Sequence, residues 1–387
     1  MNKNRRPEIL AYYFPNWHVD PLNEKWHGKG WTEWNVTKCA LPRFPGHKQP
    51  KVPLLGYEDE ADPAVMEKQI EIAVSHGVNG FMFDWYYYEG RPYRNRCLEE
   101  GLMKAANVDK IKFAVMWCNH DAIQAHPGSR AFPSPVLASG TATPEIFRAV
   151  TQYCIDHYFA HPSYLRVDGK PVFSIYSLKK MAGELGVDTM RSLMDDFRNR
   201  VREAGLGELH FNGVHVGYKS VYNDSLDQEE TNQVNALAAA LGLDSRSAHS
   251  WGWTWPDMTS PSQDYGAASE ENTVCYRHFS QDFQLPFNPV VMAGWDSSPR
   301  TLQSDVFDPA GGYPFSKILT DSTPAQFEKN LRKAKEFIES DAYTGNFLML
   351  HSWNEWTEGA YLLPDSENGY GYLEAIRKVF GPVQDQV

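Results

Sequence analysis

The chain of 387 residues lacks most of the short signatures that announce an activity by themselves. It has no G-x-G-x-x-G and no G-x-x-x-x-G-K-[ST] segment, so neither a dinucleotide fingerprint nor a P-loop is indicated. It has no H-E-x-x-H or tight His-x-His pair for zinc, and no G-x-S-x-G elbow for a Ser/His/Asp hydrolase. Cysteine is sparse: the five residues show no C-x-x-C spacing. Their odd number and scatter fit reduced thiols rather than a disulfide framework. No run of 18 apolar residues exists, so no transmembrane helix is expected. Positive charge is also short, with 37 Lys+Arg against 49 Asp+Glu and a net charge of −12, which repels phosphate backbones and argues against a nucleic-acid partner. Residues 1–8 are polar and basic, without a signal-peptide apolar stretch. That fits a cytoplasmic protein, or a periplasmic or extracellular one whose leader has been removed. The oligomeric state stays open.

What the chain does have is aromatic residues: 12 Trp, 20 Tyr and 20 Phe. Ring faces stack on sugar C–H faces, and they also fill ordinary cores; both readings stand on composition alone. Apolar residues make up 42%, enough for a large core.

Short apolar runs alternate with helical patterns. Strands are expected at 9–14, 78–87, 113–118, 170–176, 208–216, 247–253, 289–295 and 347–353. Helices are expected at 63–75, 97–106, 144–159, 188–204, 232–241, 274–283, 324–340 and 372–380, with Asp62 and Thr143 as N-caps. Eight strand–helix repeats with strands apolar on both faces predict an α/β fold, a single (β/α)8 TIM barrel over 1–387 with enlarged loops at the C-terminal face of the strands. A doubly wound sheet is the alternative. The Gly-, Pro- and Trp-containing segment 26–53 shows no helical period and reads as a long ordered loop over the barrel mouth.

In a barrel, function gathers at the C-terminal strand ends. Reading those ends in order brings polar and aromatic groups together, Tyr86, His120, Asp121 and Tyr176 among them, and from these come the candidate substrate-binding residues Tyr13, Trp17, Asp84, Trp85, Asn119, His215, His249, Trp251, Trp295, Asp296, His351 and Asn354. Trp31, Glu33 and Trp34 of the mouth loop join them, either touching substrate or packing the loop down. The sharpest stretch is 352–359, SWNEWTEG. Two carboxylates three residues apart, Glu355 and Glu358, sit after a buried strand and among aromatics. Proximity or burial raises at least one of their pKa values, as an acid/base pair for glycosidic cleavage requires. The alternative is a helix first turn that favours acidic residues. Asp84, Asp121, His215, His249 and His351 are the residue types for a divalent cation, but without metal-ligand spacing; no metal or cofactor is expected.

The segments AYYFPNWH, GKGWTEWNVTKCALPRFPGHKQPKVP, FDWYYYEG and SWNEWTEG, in that order from about residue 11 to 365, resemble the WbsX-type, glycoside hydrolase family 99-like proteins. That resemblance implies a (β/α)8 barrel acting on glycans, labelled among its members both as a polysaccharide-biosynthesis glycosyltransferase and as a hydrolase. The family 99 enzymes proper are endo-α-mannosidases, whose N-E-W-H-E motif is similar to Asn354-Glu355-Trp356-Thr357-Glu358. By position, Glu358 is implied to be the general acid/base. Glu355 is implied to be the base that deprotonates the sugar 2-OH, whose oxygen then forms an epoxide at C1. Thr357 stands where that family has His, and residues 117–121 read WCNHD rather than WANE. Mannose specificity is therefore not carried over. The expected partner is a glycan substrate, with transfer to an acceptor or non-catalytic glycan binding as the competing readings.

Overall fold

In the computed structural model, which describes residues 7–215, 228–251, 260–309 and 312–383, the apolar runs become the staves of one parallel sheet. The strands are β1 (Glu8–Tyr13), β2 (Gly80–Tyr88), β3 (Lys112–Trp117), β4 (Lys170–Ser177), β5 (His210–His215), β6 (Ser245–Ser247), β7 (Phe287–Asn288), β8 (Val290–Met292) and β9 (Phe347–His351). Their order is β7-β6-β5-β4-β3-β2-β1-β9-β8, a nearly closed barrel. β7 and β8 lie either side of Pro289 and act as one stave, β7 pairing with β6 and β8 with β9. Pro289 has no N–H to donate to a ladder. Its carbonyl still accepts from Met349 N at 2.8 Å, which ties the stave across the closure.

The outer layer includes helices Pro63–Ser75, Pro144–His157, Val187–Glu203, Pro324–Ile338 and Gly371–Phe380. Three start as their sequences dictate: Asp62, Thr143 and Thr323 accept from the backbone N–H of Ala64, Ile146 and Gln326, each followed by a proline in the first turn. The helix expected at 97–106 is instead a π-segment, Cys97–Gly101, followed by a 3-10 turn, Leu102–Lys104. A close backbone crossing shapes it: a Cβ at Gly101 would lie 2.3 Å from the Glu60 carbonyl oxygen.

The sixth strand lies earlier than the expected 247–253. It is the polar tripeptide Ser245–Ser247, which no hydrophobic pattern marks. Its serines belong to a buried hydrogen-bonded layer inside the barrel. Ser245 and Ser247 donate to Asn212 Oδ1 at 3.0 and 3.1 Å, and Asn288 Nδ2 donates to Ser247 at 3.2 Å. The segment 26–53 also differs from a plain loop. Pro21–His27 runs into it as a helix, and Trp34–Cys39 forms a second one. At seven and six residues both are too short to show a 3.6-residue period. Among the described residues, no helix is long and apolar enough to cross a membrane.

Candidate active site

A cavity of about 830 Å³ opens among the loops that follow the strands. Five of the sequence-predicted residues line it: Asp84, His249, Trp295, Glu355 and Glu358. Asp84 comes from β2, one residue before its parallel pairing with β3 ends at Trp85. Glu355 and Glu358 come from the loop after β9, where the pair Asn354–Glu355 bridges Ala360–Tyr361 around a single turn at Trp356–Glu358. This tight hairpin turns both carboxylates to one side. Asn354 anchors it: its Oδ1 accepts from Phe14 N at 2.8 Å and its Nδ2 donates to Phe14 O at 2.9 Å.

At the floor, one oxygen each from Glu355 and Glu358 and one ring nitrogen of His351 lie within 4.8 Å of one another, and all three residues are buried. His351 itself is covered, with its Nε2 3.4 Å from Glu355 Oε2. The decisive neighbour is Arg300. Its Nη1 donates to Glu358 Oε1 and, at 2.5 Å, to the Tyr313 hydroxyl; its Nη2 lies 3.4 Å from Glu355 Oε1. Its Nε lies 2.9 Å from Glu33 Oε1 and 2.9 Å from Thr357 Oγ1. Tyr313 also donates to Glu358 Oε1 at 2.9 Å.

The electrostatics separate the carboxylates. Burial pushes the Glu355 carboxyl well above the ordinary range, the adjacent Glu358 adds to the rise, and Arg300 offsets only part of it. Glu355 is therefore the member of the pair that its surroundings push toward the protonated form. Burial alone would raise Glu33 too, but Arg300 outweighs it and holds that carboxylate well below the usual range. Glu33 also accepts from Asn16 Nδ2 and Thr357 Oγ1. It is a permanent anion under the guanidinium, not a substrate contact.

Strand parity decides where several other predicted residues point, because alternate side chains face opposite sides of the sheet. Tyr12 turns inward and donates to Ala248 O at 3.0 Å, so Tyr13 turns outward, its hydroxyl 3.2 Å from Gln69 Oε1 on helix Pro63–Ser75. Asp84 faces the cavity, so Trp85 faces out and donates to Tyr158 at 3.0 Å. Trp17 and Trp34 pack on each other at 4.2 Å and hold the mouth segment to Trp356. Trp31 packs on His27 at 4.3 Å. Asn119 links the ends of β3 and β4 through Ser177 N and O, and Trp251 donates to Val290 O at 3.2 Å. Asp296 accepts from Gln49 Nε2 at 2.6 Å and lies 2.7 Å from His47 Nε2, lining a neighbouring cavity of about 190 Å³. His215 ends β5, and its side chain lies outside the described residues.

The strand-end residues Tyr86, His120 and Tyr176 also line the main cavity, as do Arg300, Tyr313, Arg94 and His126, which strand-end reading did not single out. Arg300 sits only four positions past Asp296, on the turn Ser298–Arg300. Its signal was a lone arginine after a strand end. Thr357 is buried against Glu33 and Arg300 and does not line the cavity, so its difference from the family 99 motif falls beneath the carboxylates.

Two sets of residues have metal-ligand atoms grouped: His351, Glu355 and Glu358, and His18, Glu60 and Cys97. In the first, Arg300 already stands against both carboxylates and repels a cation there. In the second, burial raises the Cys97 thiol well above its ordinary value and keeps it protonated, while Glu60 Oε1 accepts from Trp17 N at 2.9 Å and lies 2.8 Å from His18 Nδ1.

A family model described as Glycosyltransferase WbsX matches residues 9–376. Two proteins from strains of Xanthomonas campestris pv. campestris, each described as "Uncharacterized protein WxcX", are 25% identical over 97% of this chain. The chain spans about half the length of these curated relatives, 50% of each. Among solved structures, the GH99 endo-alpha-mannosidase from Bacteroides thetaiotaomicron is similar, with a TM-score of 0.57 and 17% identity over 96% of both chains. A structure described as a glycoside hydrolase-like protein gives a TM-score of 0.58 and 15% identity, covering 98% of this chain and 95% of that one. At such identities these likenesses show a shared fold.

Proposed function

We propose, from the premise that the chain belongs to the WbsX family, that it breaks glycosidic bonds in an oligo- or polysaccharide with retention of configuration, using Glu355 and Glu358. The observation that carries this reading is the convergence of the two carboxylates on the cavity floor, with oxygens within 4.8 Å. Retaining enzymes hold their carboxyl groups about 5–5.5 Å apart and inverting ones about 6.5–9.5 Å, and the close approach of these oxygens favours the retaining arrangement.

In this reading the pair enters the reaction with one proton. Arg300 touches both members, so the charge stays compensated whichever of them holds it. With a sugar bound, Glu358 holds the proton and Glu355 is the base. Glu355 takes the proton of the sugar 2-OH, the 2-oxygen bonds to C1, the C1–O bond to the leaving group breaks, and Glu358 protonates the leaving oxygen. Water then opens the epoxide at C1, giving one proton to Glu358 while Glu355 returns its own to the 2-oxygen. The elevated Glu355 pKa makes it a stronger base once ionised. Trp295 and His249 offer ring faces to the sugar, and Asp84 offers an acceptor to its hydroxyls.

The family description as a glycosyltransferase favours a second outcome of the same chemistry, in which an acceptor hydroxyl replaces water. The test is proton NMR of the first-formed product from whichever glycan is cleaved, with and without an added acceptor alcohol. Retention is expected, with a new glycoside when transfer dominates. An inverted anomer would overturn the reading, and cleavage of a 2-deoxy substrate at the rate of its parent would overturn the 2-OH step.

A further inference from the structure

The cavity that holds the dyad is also lined by Arg94, which the proposed chemistry does not use. It lies on the loop after the hairpin formed by β2 and Arg91–Tyr93, held in the left-handed region at φ 61 while its backbone N–H donates to Asp20 Oδ2 at 3.1 Å. The residue is 8% exposed and lines the cavity. Among the described residues no carboxylate lies within ion-pair distance of its guanidinium, and its Nε has no hydrogen-bond partner. What surrounds it is aromatic: the ring centres of Tyr93, Phe14 and Tyr86 lie 4.5, 5.1 and 5.3 Å from the guanidinium carbon.

A guanidinium taken out of water without a carboxylate is expensive unless something else supplies the anion. Ring faces offset part of that penalty, but they do not satisfy its planar fork of N–H donors. Glu33, whose charge reaches Arg94, is committed to Arg300, Thr357 and Asn16. His27 and His126 stand on the same wall. Burial, then the neighbouring His126, lowers His27 to about 4, and burial lowers His126 as well, so both are neutral and neither competes for an anion. Arg94 and Arg300 each lie 5.1 Å from the same Phe14 ring, on which both guanidinium groups stack. Phe14 thus links Arg94 to the guanidinium that faces the dyad, and both arginines line the same cavity.

We infer that Arg94 is a specificity residue that binds the oxyanion of an acidic glycan, a uronate carboxylate or a sugar phosphate, on a unit beside the one being cleaved. The inference rests on the glycan reading above and narrows it from glycans in general to charged ones. A bidentate, charge-assisted contact in a covered site is expected to favour an acidic sugar over its neutral counterpart by about 10- to 100-fold.

The test measures binding to the intact chain by saturation-transfer NMR and tryptophan fluorescence. The probes are sodium glucuronate, galacturonate and mannuronate, glucose 6-phosphate, and the neutral sugars glucose, galactose and mannose. Wild type is expected to prefer at least one acidic probe over its neutral partner, and the uronate and phosphate arms show which oxyanion fits. Arg94→Gln is expected to lose the preference while still binding neutral sugars. Arg94→Lys, which keeps the charge without the fork, is expected to retain part of it and guards against a folding defect in the first variant. Equal binding of acidic and neutral sugars, or a preference that survives in a folded Arg94→Gln, overturns the inference and leaves the glycan reading standing. No binding of any sugar counts against both.

Discussion

Replacing Arg300 by Met removes the guanidinium that touches Glu33, Glu355 and Glu358 together. Met fills similar space without charge, so the variant isolates the electrostatics. Leaving one buried ion partner uncompensated costs about 3–5 kcal/mol. Arg300 is 5% exposed, so solvent gives little relief, and the full range applies near neutral pH. The loss also depends on pH, with a sign the structure dictates. In the wild type Glu33 is held below its ordinary pKa, so its contribution is present above the unfolded value of about 4.3 and is lost as pH falls through the lower folded one. Without Arg300, burial acts unopposed and drives Glu33 upward. Its contribution then persists below the unfolded value and is lost as pH rises through the new folded value. The stability gap between wild type and variant should therefore be small near pH 4 and widen toward pH 8. Urea denaturation followed by tryptophan fluorescence at several pH values reads this directly, with Arg300→Lys expected to recover part of the loss because the charge stays but the fork goes. A gap under about 1 kcal/mol at pH 8, well short of the expected penalty, or one that does not change with pH, would refute the claim that Arg300 holds Glu33 ionised and compensates the charge of the Glu355–Glu358 pair.

Glu355→Gln should abolish cleavage and change stability with opposite pH sense. The folded pKa of Glu355 is raised, so its contribution is intact below the unfolded value and lost as pH rises through the folded one; an isosteric amide should flatten that alkaline decline in thermal melts. Asn354→Ala, which strips both hydrogen bonds to the Phe14 backbone, should lower stability by about 1–3 kcal/mol and reduce activity through a displaced hairpin, and unchanged melting would show that other contacts position the loop. Trp295→Ala should raise KM more than it lowers kcat if the ring stacks on sugar rather than ordering the carboxylates.

The barrel was legible because its strands are apolar on both faces and its helices begin with strong signals: Asp62-Pro63 and Thr143-Pro144 each mark a real helix start. The sixth strand was misplaced because it is held by a serine–asparagine layer rather than by hydrophobic burial. The carboxylate pair could be found because motif and strand end coincide at 352–359. Much of the rest of the predicted site failed to reach the cavity for one geometric reason. Tyr13 and Trp85 sit one residue from inward-facing positions, and a strand reverses its side chains at each step. Trp17, Trp34 and Glu33 show a second limit. A loop aromatic or acid reads the same in sequence whether it meets a ligand or braces the residues that do, and here they brace. Arg300 and Arg94 were invisible because only the folded cavity sets a lone arginine opposite the acids or leaves one without them.

The most direct test of the central claim compares wild type with Glu358→Gln on a broad panel of α- and β-linked oligosaccharides and polysaccharides, acidic ones included, with released sugars read by mass. The account predicts products from the wild type and a rate about 10²- to 10⁴-fold lower from a variant of unchanged near-UV circular dichroism, since a general acid contributes on that order. Cleavage by Glu358→Gln at the wild-type rate would contradict it.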